Sequence, residues 1–227
     1  MINHQGVWLP DGETHLTKWM TDSGELVDGK GTYQIKKLRK AVGYCTNHRT
    51  AVDIGAHVGL WSMQLVKMFD RVVAFEPVPR HRECFMLNVM ETSKRVSVDD
   101  CSRNFLLHHC ALGESEGFVD IETAPTSSGD SRVDIHAKDP KTPLKTLDSF
   151  GLTDVDFMKL DCEGYELFAL RGGVETIRRC LPIIIVEQKP GRAQQFGLPE
   201  TGAVGFLIGL GYTTAAVMSG DYVMVPE

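Results

Sequence analysis

The sequence has no C-x-x-C pair, no internal repeat, no low-complexity tract and no G-x-G-x-x-G turn. Its six cysteines, Cys45, Cys84, Cys101, Cys110, Cys162 and Cys180, fit neither a zinc ribbon nor a thioredoxin-type motif. Several fall in apolar runs, where free thiols pack as small hydrophobes, so a reducing, cytoplasmic setting is expected. An excess of positive charge is also missing. Lysine plus arginine total 24 against 30 aspartates and glutamates, a net charge of −6, which argues against a nucleic-acid partner. The first residues, MINHQGVWLPDGETH, carry neither a basic n-region nor an apolar h-region, so no secretory signal is read there. Thr201–Gly220 is uncharged and about as long as a membrane span, but Gly202, Gly205, Gly209 and Gly211 interrupt it. A buried helix followed by a core strand explains it better, and no membrane association is expected.

What is present is an ordinary soluble composition, 42% hydrophobic and 24% charged over 227 residues, enough chain for one core without disulfide staples. Residues 1–45 read as polar and irregular, with Trp8, Trp19 and Tyr33 scattered through them. From Ala51 onward, short apolar runs alternate with helical periodicity: AVDIGA, a helix, RVVAFEPV (71–78), a helix opened by Pro79, FLLHHCALG (105–113), VDFMKLDCEG (155–164), helices, and PIIIVEQK (182–189). A helix near 201–209 and two further strands, YTTAAVM and DYVMVP, close the chain. This order predicts an α/β fold: a Rossmann-like doubly wound sheet, mostly parallel, with an antiparallel C-terminal edge strand. It is read as one domain, with residues 1–45 as a lid or substrate segment on a core spanning 51–227. Tyr33 and Gln34, nearest the core, are the candidates for touching a ligand.

The first chemical motif is Asp53-Ile-Gly55-Ala-His57-Val-Gly59, at the first strand-to-helix turn, where such a sheet places its ligand crevice. Glu76, at the end of the second strand, is placed to accept hydrogen bonds from the vicinal hydroxyls of a ribose, and Pro77 follows it. A glycine turn plus a distal acid indicates an adenosine-containing ligand. A dinucleotide needs glycine where His57 stands, and the carboxylate of Asp53 would repel a pyrophosphate. S-adenosylmethionine, with its sulfonium and ammonium, suits an acid there.

The segments AVDIGAHVGLWS, VVAFEPVP, the ALG of HHCALG, TLDSF, MKLDCEGYELFALRGG and PIIIVEQ resemble the FkbM-type family of S-adenosylmethionine-dependent methyltransferases, over about Ala51 to Gln188. The resemblance implies a class I methyltransferase fold and methylation of hydroxyl groups on small molecules or saccharides. Residue by residue it implies that Asp53, Gly55 and Gly59 hold the methionine end and Glu76 the ribose. Ala111 and Leu112 would flank the adenine, and Asp161 would lie beside the transferring methyl. The family usually has asparagine where this chain has His57. Residues 1–45 and 190–227 match weakly, and substrate choice is expected to reside there.

Asp161, Glu163 and Glu187 form the candidate catalytic set, because methyl transfer requires positioning plus a base to take the acceptor's proton. Glu163 could instead cap the following helix, with Glu166 solvated on its surface. Asp161 with Glu187 and Gln188 would also offer oxygens to Mg²⁺, but with no firm third carboxylate the expectation is no metal ligand. The partner expected is a small-molecule or saccharide acceptor; the oligomeric state is left open. The rival readings are a nicotinamide-dependent oxidoreductase and a cofactor-binding module without turnover.

Overall fold

The structure, a computed structural model, describes residues 1–93, 104–124 and 127–227. Cys101, most of the polar connection after residue 90, and Pro125 and Thr126 lie outside the described residues.

Seven strands form the central sheet: β1 (Thr50–Ile54), β2 (Arg71–Phe75), β3 (Phe105–His108), β4 (Val155–Leu160), β5 (Ile183–Glu187), β6 (Tyr212–Met218) and β7 (Asp221–Pro226). Their order is β3-β2-β1-β4-β5-β7-β6. The first five run parallel, and β7 is antiparallel to both β5 and β6. The antiparallel strand, expected at the edge, is therefore second from it. The hairpin through Ser219 and Gly220 folds the last strand inward against β5 and leaves β6 outside.

Strand chemistry follows from burial on both faces. All five residues of β1 and of β5 are buried, as apolar runs between two helical layers must be. Alternation then divides the core. Phe157, Ile183 and Ile185 face a layer containing Phe69 and Phe85, whereas Met158, Ile184 and Val186 face one containing Leu147, Leu170 and Tyr212. The first layer carries α1 (His15–Ser23), α2 (Ile35–Val42), α3 (Ser62–Met68) and α4 (Pro79–Met90). The second carries α5 (Glu166–Arg171), α6 (Val174–Cys180) and α7 (Gly202–Gly209).

The N-terminal 45 residues are more regular than their composition suggested. Leu16 and Met20 anchor α1, and Ile35, Leu38, Ala41 and Val42 anchor α2. The charges of Lys36, Lys37, Arg39 and Lys40 obscured the second stripe in the sequence. The segment FLLHHCALG, read as one strand, splits. After β3 the chain leaves the main sheet, and Ala111–Leu112 joins a second sheet with Gly117–Glu122, Arg132–Asp134 and Thr142–Lys145. This insert lies between β3 and β4 in the chain. No helix among the described residues is long and apolar enough to cross a membrane.

Candidate active site

Strand order reverses between β1 and β4, so the loops after these two strands diverge and open a crevice at their carboxyl ends. A cavity of about 300 Å³ occupies it. Gly55 takes a left-handed φ of +73°, and a Cβ there would stand 2.0 Å from the backbone carbonyl oxygen of Asp161. Only glycine allows the two loops to meet this closely. Lys159, almost fully buried, donates to the Gly55 carbonyl at 2.7 Å and pairs with Asp53 at 3.3 Å and Asp161 at 3.9 Å. Burial opposes its charge, but Asp53 and Asp161 outweigh that and hold its ammonium above the usual lysine range.

Asp53 and Gly59 do not line the cavity. Asp53 is fully buried and accepts a 2.7 Å hydrogen bond from Ser62, so it braces Lys159 and α3. Gly59 has φ +86°, and a Cβ there would lie 2.8 Å from Val89 and 2.9 Å from Phe85. It admits α4 against the loop.

Glu76 does face the cavity, but it is also structural. Its carboxylate accepts the backbone N–H of His57 at 2.7 Å and of Val78 at 2.8 Å, with His81 Nδ1 3.3 Å away. It ties the glycine loop to the start of α4. His57 sits at φ +52°, a region in which asparagine, aspartate and histidine are the side-chain-bearing residues best tolerated, and so the same backbone accepts the family's asparagine. Its ring lies edge-on to His81, and burial together with His81 pushes its pKa well down, leaving it neutral. Pro77, Cys110, Ala111 and Leu112 complete this half of the wall.

At the other half, Asp161, Glu163 and Glu187 each bring a carboxylate oxygen within 4.8 Å of the others. Glu163, one of the three acids expected here, lines the cavity, while Glu166 takes the free N–H groups of the loop before α5. Glu166 is buried, not solvated, and accepts the N–H groups of Cys162 at 2.8 Å and Gly164 at 3.0 Å. Gln188 turns away; its side-chain carbonyl accepts the N–H of Ala203. Glu187 lies behind the cavity wall, paired with Lys189 through one oxygen, while its Oε2 has no hydrogen-bond partner. Arg192 Nε stands 2.9 Å from Glu163 Oε2 without hydrogen-bond alignment, and its Nη2 donates to Asp130 at 2.7 Å. Burial, reinforced by Asp161, raises Glu163 to about 8 and Glu187 to about 9. The three carboxylates could enclose a small cation. Lys159, Lys189 and Arg192 already stand against them, however, which makes a poor cage for a divalent ion.

Two further walls come from elsewhere in the chain. His15, Leu16 and Tyr33 line the cavity from the N-terminal segment. Gln34 does not, serving as the residue before α2 with φ +54°. Trp19 packs edge-on against Tyr33, and Trp8 binds Asn88 of α4 through its backbone; neither reaches the cavity. The insert supplies Ile121 and residues 127–133, including Arg132 and Val133. These positions, with Lys189 and Arg192, were missed in the sequence. The Glu-x-Lys spacing of Glu187 and Lys189 was the one local signal available; nothing local marks Ser128.

The sequence profile of the Methyltransferase FkbM domain matches residues 53–212. The chain belongs to the FkbM methyltransferase family. Among solved structures, the FkbM methyltransferase of Methylobacillus flagellatus KT superposes with a TM-score of 0.51 at 20% identity, over 78% of this chain and 43% of its own. The chain thus spans less than half of that protein. A TehB-like SAM-dependent methyltransferase from Corynebacterium glutamicum gives 0.46 at 12% identity, over 92% and 94% of the two chains. A Streptococcus mutans protein in complex with SAH gives 0.48 at 9%, over 85% and 96%. No curated protein shows significant similarity to the chain. The fold of this FkbM domain places the glycine loop, Glu76 and Asp161 around one cavity, with Asp53 and Gly59 outside its lining.

Proposed function

We propose that this FkbM-family protein binds S-adenosylmethionine and methylates a hydroxyl oxygen of a small molecule or saccharide. The observation that carries the reading is one cavity lined by two chemically distinct sets that meet where Gly55 touches Asp161: Gly55 with Glu76, and Asp161 with Glu163. The glycine cradle, which a Cβ would fill, and the inward acid of Glu76 fit an adenosine ligand. The acid at Asp161 suits the positive charge of a sulfonium or ammonium. When bound, the cofactor supplies an already activated methyl group, so the chain's own task is positioning and proton removal.

The environments divide that task. Asp161 is the most exposed acid of the three, at 26% of its side chain, and is assigned the proton of the acceptor's hydroxyl. Glu163, raised to about 8, keeps its proton at neutral pH and can donate a hydrogen bond to the acceptor. Glu187, behind it, holds Lys189 in place. No metal, nucleic acid or membrane enters this proposal. The five described cysteines are free thiols, which supports a reducing cytoplasmic setting.

The test is calorimetry with S-adenosylhomocysteine and with NAD, followed by mass detection of methylated product over a panel of hydroxyl acceptors. Binding of S-adenosylhomocysteine but not NAD, with product, is expected. NAD binding alone would favour an oxidoreductase, and binding without product a module that does not turn over.

A further inference from the structure

The loop of the insert meets three otherwise separate parts of the chain at one point. Ser128, almost fully buried, donates its backbone N–H to Glu13 Oε2 at 2.6 Å. Its hydroxyl donates to the same oxygen and lies 2.8 Å from His57 Nε2. Two residues on, Asp130 is held by Arg192. Glu13 is itself 3% exposed, and its other oxygen accepts the N–H of Leu16 at the start of α1. A carboxylate buried this deeply is tolerated because three donors converge on it. Ser128 through Asp130, His57 and Leu16 all line the cavity.

We propose that Glu13 is a positioning residue that clasps the Ser128–Asp130 turn against the glycine loop, so that a ligand enters or leaves the cavity only when this clasp opens. The geometry supports a gate rather than a fixed wall. The clasp consists of a few side-chain hydrogen bonds between segments 62 to 115 residues apart, and none of its contacts is a strand ladder. His57 gives the turn its seat on the glycine loop; in neutral form its ring can donate to the serine oxygen while the serine proton goes to Glu13.

The inference rests on the proposed cofactor for one of its two readouts only. Hydrogen–deuterium exchange of the ligand-free protein is compared among wild type, Glu13→Gln and Ser128→Ala, and the dissociation rate of S-adenosylhomocysteine is followed by Trp61 fluorescence, Trp61 being a lining residue. An amide offers one oxygen to three donors, so Glu13→Gln should speed exchange at Ser128 and Gly129 and ligand release by about tenfold each. Ser128→Ala keeps the backbone bond and should give a smaller increase in both. Rates within twofold of wild type in both variants overturn the clasp. Faster exchange with unchanged release overturns the gate. If Glu13→Gln also loosens α1, Ser128→Ala decides, since it leaves the Leu16 contact intact. If wild type binds no S-adenosylhomocysteine, the cofactor assignment falls and exchange alone judges the clasp.

Discussion

Glu76 follows β2 and Glu187 ends β5, with β1 and β4 between those strands; both are almost fully buried, yet their surroundings differ in kind. Glu76 receives two backbone N–H groups. Glu187 receives one lysine and has an orphan oxygen, with two more carboxylates within 4.8 Å. Burial and Asp161 accordingly push Glu187 to about 9, where it holds a proton at neutral pH. Identical side chains become a fixed acceptor in the cavity wall and a protonated, charge-sensitive group behind it. Donor supply, not burial alone, separates the two.

The largest effect should come from the acidic set. Asp161→Asn keeps shape and removes charge; turnover should fall by roughly 10²–10⁴-fold while S-adenosylhomocysteine affinity stays close to wild type. Calorimetry and turnover on one variant, with and without chelator, check this. Lost affinity at preserved maximal rate would move Asp161 to cofactor orientation, and chelator-sensitive wild-type activity would restore a metal.

Next in size is the contact joining the two sets. Gly55→Ala adds a Cβ 2.0 Å from the Asp161 carbonyl oxygen at φ +73°. The chain should lose about 3 kcal/mol or more of stability by denaturant unfolding, because backbone faces backbone and neither can yield cheaply. A shift under about 1 kcal/mol would mean that the loops separate freely.

Glu76→Ala removes the acceptor for two buried N–H groups as well as the ligand's. It should cost about 2–4 kcal/mol, shared between thermal stability and S-adenosylhomocysteine affinity. An effect on affinity alone would make Glu76 purely a ligand contact.

The smallest effect is in the pH profile. Folded Glu163 and Glu187 hold protons up to about 8 and 9, against an ordinary value of 4.5. Between these limits the folded chain carries more protons than the unfolded one, so stability falls as pH rises from about 5 to 9. Glu187→Gln should flatten that slope in chemical unfolding across the range; an unchanged slope would show that Glu187 is ionised throughout.

Much of the glycine loop was legible because its signals are local. AVDIGA, the acid after the next apolar run and KLDCEG each carry strand, turn and acid within ten residues, and the fold brings their ends together by topology alone. The edge strand was misplaced because a hairpin's own residues do not state which of its strands meets β5. Spacing along the chain leaves Glu166 looking solvated and Glu163 open between capping and catalysis, because it does not tell which carboxylate reaches back to the free N–H groups before α5.

By itself the sequence determined the alternating strands and helices, the left-handed turn at Gly55, and the acids at the ends of β2, β4 and β5, since each depends on residues within a turn or strand of one another. Only the tertiary structure decided which acid is anchored and which is left to hold a proton. It also decided that Asp53 faces Lys159, and that Glu13, Ser128, Asp130 and Arg192 meet around one cavity. The reason is separation along the chain: Glu13 and Ser128 are 115 residues apart, and nothing in either neighbourhood encodes the other. Their contact exists because the packed sheet carries both to the same rim, and burial there requires each donor to find an acceptor.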